Sequence, residues 1–331
     1  MKKMLVLTFT LFLTGCDTLS LMAQSGKFFC NRKYLSESAY TPKTPNDFEA
    51  KKNTHYKLAD DGYIYVLAAA LALQPKNDPK KEPHFFPTPE YLEQVGDKPS
   101  FKGKGGFEAR TYIYTSETGE KEIIIAFAGS QSGMQIFPDW VLTNGFRVDT
   151  QYNEAKEYVL RMRKELNEQG KSYPIVVTGF SLGGGLASHV ALHPDTNNLV
   201  KKVWIFNPSP IIYPKFFYAE KTPKELDNRF HLAATRKEFV QRMPFAKNYY
   251  KAFIPETQRS NKFDQVDGNL IYSHFRWVLG RNVILYADHY EEVNNGIADG
   301  RPRQIINDSE FASCKLQNEP WYKRLVESLK Y

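Results

Sequence analysis

Three apolar runs, separated by helical segments, constrain the fold of this chain more than any other feature. The runs at 121–128, 174–179 and 201–206 are rich in isoleucine, valine and aromatic residues, which is typical of strands buried in a sheet. Helices are predicted between them at about 150–168 and 182–193. This alternation predicts an α/β fold with a central, mainly parallel sheet covered by helices on both faces.

Further elements lie on both sides of this alternation. A helix is predicted at 56–73, where apolar residues recur at helical spacing until a proline follows. Strands are predicted at 107–115 and 230–235, and six prolines predict a long surface excursion over 74–100. The rest of 208–288 is aromatic, basic and irregular. The 331 residues are 42% hydrophobic and show no internal repeat, which predicts one domain with insertions, with two domains as the alternative.

One serine stands where a predicted strand meets a predicted helix. The sequence Gly179-Phe180-Ser181-Leu182-Gly183 has the spacing G-x-S-x-G, which allows the sharp turn that lifts a serine hydroxyl out of a sheet. The start of the next helix would then lie beneath the site, with the backbone N–H of Leu182 directed at a developing oxyanion. Ser181 is therefore a candidate nucleophile. The alternative is a turn in which the glycines serve only close packing.

A second motif precedes this serine. The segment AFAGS at 126–130 ends the central strand, and Asp139 and Trp140 follow it. Together with GFSLGG, these motifs resemble those of class 3 lipases, the fungal triacylglycerol lipase-like family, in order and approximate spacing over about residues 56–300. The resemblance implies an α/β-hydrolase fold. Ala128 departs from the family, which usually has arginine there, and the change removes a structural ion-pair partner.

The resemblance also implies roles for residues that follow the central strand. Ser130 matches the oxyanion-hole residue, so its N–H is expected opposite the N–H of Leu182. Residues 131–140 match the family's lid, whose apolar side chains are expected to cover the serine in water and swing out at a lipid surface. The alternative is a loop whose apolar residues belong to the core.

A nucleophilic serine needs a histidine base and a carboxylate that orients the histidine. In this fold the acid and then the histidine follow the serine along the chain. His189 and His193 are expected on the helix after the serine, pointing away from the site, and His231 is expected in a strand. The remaining candidates for the base are His274 and His289.

The resemblance favours His289 over His274, because His289 matches a late family histidine that opens a terminal helix pattern. It places the acid at Glu238, where the family has an aspartate in a D-x-V setting. Because glutamate departs from that pattern, Asp264 and Asp267 remain alternatives. The predicted triad is Ser181, Glu238 and His289.

The first sixteen residues, MKKMLVLTFTLFLTGC, have the layout of an export signal. Two lysines precede an apolar stretch that is too short to cross a bilayer, and small residues precede Cys16. The ending LTGC resembles a bacterial lipobox, which implies cleavage after residue 15 and acyl chains on Cys16 that anchor the protein in a membrane. The alternative is cleavage at another small residue, with Cys16 incidental.

These features predict three parts: a signal peptide at 1–15, an anchor and tether at 16–53, and the hydrolase domain at 54–331. The expected location is the periplasmic side of the bacterial cell envelope. Asp17 looks like the inner-membrane retention signal of enteric bacteria, with the outer membrane as the alternative. Cys30 and Cys314 could form a disulfide in an oxidising compartment, the alternative being two thiols.

Charge and motif content narrow the partners. The net charge of +7 arises from 44 basic and 37 acidic residues that are scattered, which favours a solvated surface over nucleic-acid binding. The histidines are not spaced with carboxylates as metal ligands are, and no G-x-x-x-x-G-K-[ST] motif occurs. The sequence therefore predicts no nucleic-acid partner, no metal and no other cofactor.

The combined features predict a serine hydrolase that cleaves carboxylic esters of lipids, as a lipase or phospholipase, through an acyl-enzyme on Ser181. Segment 208–218 is expected to line an acyl groove, with Lys215 and Lys221 attracting anionic head groups. The alternatives are an acyltransferase or thioesterase with the same triad, a peptidase, or an inactive hydrolase-fold lipoprotein with a binding or scaffolding role.

Overall fold

The computed structural model describes residues 54–74, 78, 85–96, 100–103, 106–129, 148–208, 228–235, 254–260, 263 and 276–309. The helices in these ranges are α1 (Thr54–Ala72), α2 (Val148–Glu168), α3 (Leu182–Leu192), α4 (Arg276–Tyr290) and α5 (Arg301–Asp308). The strands are β1 (Leu92–Gln94), β2 (Phe101–Lys102), β3 (Glu108–Thr115), β4 (Lys121–Phe127), β5 (Ile175–Phe180), β6 (Val200–Phe206), β7 (Phe230–Ala233) and β8 (Arg259–Ser260).

The described strands form one mixed sheet in the order β1-β3-β4-β5-β6-β7-β8, with β2 also paired to β3. Strands β4 to β8 run parallel to one another, whereas β3 runs antiparallel to β4. The carboxyl ends of β4 to β8 therefore meet at one edge of the sheet, which we call the carboxyl edge. The predicted α/β fold and its mainly parallel sheet are confirmed.

Alternate residues of the central strands face opposite layers of helices. Ile124, Val176 and Trp204 belong to the core formed with α1 and α4. Their neighbours Ile125 and Val177 belong to the core formed with α2 and α3. Because both faces of the sheet are covered, the buried parts of these strands are nearly continuous apolar runs, as the sequence indicated.

The predicted elements agree closely with the observed ones, but five of the observed elements were not predicted. These are β1, β2, β8, α4 and α5. In α4 every residue from Trp277 to Asp288 is buried, so the helix lacks the polar face on which sequence periodicity depends. Its buried Arg281 and Asn282 also interrupt the apolar pattern.

The prediction that 74–100 is a surface excursion is wrong for part of that segment. Phe86 is completely buried, and β1 pairs with β3 at the end of the sheet. The buried side chain of Gln74 donates to the carbonyl of Phe86 at 3.1 Å and accepts from its N–H at 2.7 Å. The amide of Gln74 thus bonds both backbone polar groups of Phe86, in a segment whose prolines predicted only a loop.

Helix α1 lies across the sheet, between the sheet and α4. At Gly62 an added Cβ would lie 2.5 Å from the ring of Trp204, so glycine allows α1 to approach β6 closely. Trp204 stacks on Tyr65 of α1 at 5.3 Å and on His231 of β7 at 4.4 Å. His231 therefore lies in a strand, as predicted, and burial together with Lys202 lowers its pKa to about 4.

Within the described ranges, no helix combines the length and the apolar character that a membrane crossing requires.

Candidate active site

Ser181 occupies a sharp turn between β5 and α3 at the carboxyl edge. Its backbone has φ 51° and ψ −120°, a conformation that L-residues rarely adopt and that glycine adopts easily. The side chain makes no capping hydrogen bond to α3, and the residue is partly exposed. Strain of this kind concentrates at functional sites, since the surrounding structure must hold it in place.

The glycines around Ser181 allow three backbone segments to touch. An added Cβ at Gly179 would lie 2.3 Å from the carbonyl carbon of Gly183, and one at Gly183 would lie 2.2 Å from the carbonyl oxygen of Phe127. Both distances are far below a van der Waals contact. The G-x-S-x-G spacing is therefore required by the fit of β4, β5 and α3, as the predicted turn demands.

Two hydrogen bonds fix the turn itself. The N–H of Ser181 donates to the carbonyl of Phe206 at the end of β6, at 3.1 Å. The carbonyl of Ser181 accepts from the N–H of Gly185 in the first turn of α3, at 3.2 Å. Leu182 is the buried first residue of α3, so its N–H is one of the donors that a helix leaves unbonded within itself. The positive end of the helix dipole adds to its suitability as an oxyanion donor.

The end of β4 lies directly beside this turn. An added Cβ at Gly129 would lie 2.9 Å from the carbonyl oxygen of Phe180 and 3.7 Å from the Cβ of Ser181. Ala128, the departure from the family pattern, is buried, and its N–H donates to the carbonyl of Glu108 at 2.9 Å. The chain leading into Ser130 is thus adjacent to Ser181.

Several predicted residues lie outside the described residues. They are Ser130, the lid at 131–140, Glu238 with its alternatives Asp264 and Asp267, His274, the segment from 209 onward with Lys215 and Lys221, and Cys16, Asp17, Cys30 and Cys314. Their predicted roles stay predictions.

His289 lies in the last turn of α4, and not at the start of a helix as the sequence suggested. Its ring centroid is 5.9 Å from that of Tyr56 in α1. Burial lowers the pKa of His289, while the nearby carboxylates of Glu292 and Asp288 oppose the shift. His289 is therefore a packed residue at the far end of a buried helix.

The neighbours of His289 show which edge of the sheet it approaches. The adjacent Asp288 accepts a hydrogen bond from Arg303 of α5 at 2.5 Å. In the same helix, Arg301 donates to the carbonyl of Thr115 at 2.9 Å, and Thr115 pairs with the first residue of β4. These contacts connect His289 to the amino ends of the parallel strands, about 20 Å from the carboxyl edge along a seven-residue strand. The role of His289 as the base stays a prediction.

The middle of α4 is linked to the carboxyl edge. Asn282 donates to the carbonyl of Phe263 at 2.8 Å, and the N–H of Phe263 donates to the carbonyl of Ala234, just after β7, at 3.4 Å. His274 stands two residues before the first residue of α4 in the sequence. His274 and His289 both stay candidates for the base.

The other histidines agree with the expectation that they are not the base. His189 is buried in α3, and its ring lies 4.9 Å from that of Tyr152 in α2. His193 follows α3, and burial lowers its pKa although Asp195 lies 3.7 Å away. Among the described residues, no three His, Cys, Asp or Glu side chains gather as metal ligands.

Asn207, which follows β6 at the carboxyl edge, was not among the predicted residues. It is completely buried and has φ 40°, so it joins Ser181 as a residue other than glycine with positive φ in the described ranges. Its side-chain oxygen accepts from the N–H of Thr235 at 3.1 Å. The signal that could have found it is the asparagine itself, which tolerates left-handed backbone, between a strand and a proline.

The sheet topology and the turn at Ser181 define an α/β-hydrolase fold. Residues 64–200, which run from α1 into β6 and include Ser181, match the family model described as "Phospholipase-like: Tle-like phospholipase domain". The predicted resemblance to lipases is confirmed, and this segment is similar to a phospholipase-like domain.

Solved structures with similar architecture include lipases and an esterase. Lip2 lipase from Yarrowia lipolytica is 15% identical, with a TM-score of 0.43 over 61% of this chain and 78% of that chain. Lipase II from Rhizopus niveus is 14% identical, with a TM-score of 0.35 over 58% and 76%. Brefeldin A esterase, titled a bacterial homologue of human hormone sensitive lipase, is 13% identical, with a TM-score of 0.33 over 84% and 90%. No curated protein matches the chain significantly in sequence.

We predict that Ser181→Gly unfolds at higher urea concentration than Ser181→Ala, with a difference of about 1 kcal/mol. Glycine adopts the backbone of residue 181 without the strain that any Cβ imposes. The same pair at Ser188, inside α3, should show the reverse order, because glycine weakens a helix interior. Urea unfolding followed by circular dichroism measures both pairs, and equal stabilities at position 181 would contradict the strain.

Proposed function

We propose that this chain is a serine esterase that hydrolyses carboxylic esters of lipids. The observation that carries the proposal is the strained backbone of Ser181, held between the carboxyl end of β5 and the start of α3. A turn that serves only packing would not need a serine in a conformation suited to glycine. The strain is understandable if it presents the hydroxyl for nucleophilic attack.

In the proposed reaction, the Ser181 hydroxyl attacks the ester carbonyl while a histidine takes its proton. The N–H of Leu182 and that of Ser130 stabilise the oxyanion that develops on the carbonyl oxygen. The alcohol leaves with a proton from the histidine, so an acyl group remains on Ser181. Water, activated by the same histidine, then releases the carboxylic acid.

We assign the base to His274 and the acid to Glu238. His274 is supported by its position in the sequence just before α4, whose first half is linked to the carboxyl edge through Asn282. Glu238 is supported by its position three residues after Thr235, which is bonded to the end of β6. The chain order is Ser181, Glu238, His274, as this fold requires.

The substrate class follows from the family match. Residues 64–200 are similar to a Tle-like phospholipase domain, which supports glycerophospholipids as substrates ahead of triacylglycerols. The net charge of +7 favours approach to anionic lipid surfaces.

Purified protein should hydrolyse members of a panel of phospholipids, triacylglycerols and p-nitrophenyl esters, whereas Ser181→Ala should lose about 10⁴-fold or more in kcat. The loss is expected because no other group replaces the nucleophile. Fatty acid release measures activity, and circular dichroism checks that the variant is folded. Equal rates for the two proteins would refute the esterase, and a wild type inactive on the whole panel would favour a binding or scaffolding role.

His274→Ala should reduce kcat to nearly the level of Ser181→Ala, while His289→Ala should retain most of the activity. The reason is that a base must lie within hydrogen-bond reach of the serine, and the contacts of His289 connect it to the amino ends of the strands. Hydrolysis of p-nitrophenyl butyrate at neutral pH measures both. The opposite result, with His289 essential in a folded protein and His274 dispensable, would reverse the assignment.

We further propose that acyl chains on Cys16 anchor the mature protein to a membrane of the bacterial envelope, facing the periplasm. The support is the sequence LTGC after an apolar stretch and two lysines. Cys16→Ser should move the protein from the membrane fraction to the soluble fraction or block its processing. Mass spectrometry of the mature N-terminus detects the acyl groups, and an unmodified Cys16 in a membrane-bound protein would contradict the proposal.

A further inference from the structure

Two completely or nearly completely buried asparagines lie along the carboxyl edge, apart from the residues of the proposed reaction. Asn207 has 0% of its surface exposed and Asn282 has 1%. Burying an amide side chain is costly unless its hydrogen bonds are made, so a buried asparagine in an apolar core requires an explanation. Each of these two donates to or accepts from backbone at the end of a strand or just beyond it.

Asn207 joins the end of β6 to the chain beyond β7. Its N–H donates to the carbonyl of Ala233 at 3.1 Å, and its side-chain oxygen accepts from the N–H of Thr235 at 3.1 Å. The sheet ladder alone would supply the first bond. The second one holds the residue that leads, three positions later, to Glu238.

The residues on either side of Asn207 hold the turn at Ser181. The carbonyl of Phe206 accepts the N–H of Ser181, and an added Cβ at Gly184 would lie 2.9 Å from the Cβ of Pro208. Residues 206–208 therefore contact the nucleophile turn on one side and the chain beyond β7 on the other. The positive φ of Asn207 lets the chain turn between these two sets of contacts.

Asn282 extends the same connections to α4. It donates to the carbonyl of Phe263, whose N–H donates to the carbonyl of Ala234. Ala234 in turn donates to the carbonyl of Ser260 in β8 at 2.8 Å. The buried amide of Asn282 thus ties the first half of α4, shortly after His274 in the sequence, to the ends of β7 and β8.

We propose that Asn207 and Asn282 are positioning residues, which hold the ends of β6, β7 and β8 and the first half of α4 in register with Ser181. The inference rests on the proposed esterase function. Neither side chain is assigned contact with the substrate. Each acts through the backbone it binds, and a displacement of about 1 Å in a catalytic group is enough to lower a rate by roughly 100-fold.

The test compares Asn207→Gly, Asn282→Leu and Thr111→Val. Glycine adopts the positive φ of position 207 easily and removes the side-chain oxygen. Leucine at position 282 fills the buried space of the side chain and removes its N–H donor. Thr111→Val is the matched control, because it removes a buried 2.8 Å hydrogen bond to Tyr158 on the α2 side of the sheet. The midpoint of thermal unfolding is measured for all three.

We expect the two asparagine variants to lose roughly 10- to 100-fold in kcat on p-nitrophenyl butyrate, with KM within about twofold of wild type. A carboxylate beside a histidine raises the pKa of that histidine, so a displaced acid lowers it. The acid limb of kcat/KM should therefore shift to lower pH in Asn207→Gly. Thr111→Val should lose stability but keep kcat and the pH profile.

Two results would overturn the positioning role in an active wild type. One is kcat and an acid limb in the asparagine variants that equal those of wild type. The other is a loss of kcat without a shift of the acid limb, if Thr111→Val loses as much kcat at the same unfolding midpoint. Lower stability alone would then explain the loss. A wild type with no esterase activity and no labelling of Ser181 by a fluorophosphonate would overturn both the function and this inference.

Discussion

The close approach of three backbone segments around Ser181 is the constraint on which the rest of the site depends. Gly179 and Gly183 face each other with no room for a Cβ, and Gly183 lies equally close to the carbonyl of Phe127. This contact sets the angle between β5 and α3 and brings the end of β4 to the same point. Since α3 begins with Leu182 and Gly129 follows β4, one packing requirement brings the start of α3 and the end of β4 to Ser181.

The carboxyl edge is organised by backbone hydrogen bonds more than by contacts between charged side chains. The chain of bonds from Ser181 through Phe206 and Asn207 to the ends of β7 and β8 runs perpendicular to the strands. It joins the ends of the parallel strands at the edge where Ser181 lies, and sites at this edge of a sheet are usual in α/β proteins. The amino edge differs, because Arg301 and Arg303 join α5 to the sheet and to Asp288 there, and burial raises the pKa of Glu291 to about 8.

The sequence predicted the parts of the fold that rest on local pattern. The apolar strands and the serine turn were readable because burial on both faces and the steric need for glycine leave direct traces in residue type. Helix α4 could not be predicted, since a helix buried on nearly all sides has no polar face. The buried polar residues Arg281 and Asn282 also interrupt its apolar pattern. The sequence could not decide between His274 and His289 for a related reason. Family pattern places a histidine near a helix, but it does not say which part of that helix contacts which edge of the sheet.

The packing of α1 on α4 has a consequence for how the chain reaches its folded state. These helices bury against each other, yet 204 positions separate Ala72 from Arg276. The first helix of the domain therefore cannot complete its core until nearly the whole chain has been made, and contacts of such long sequence separation form slowly. A chain of this design stays incompletely folded until its last helices have been made.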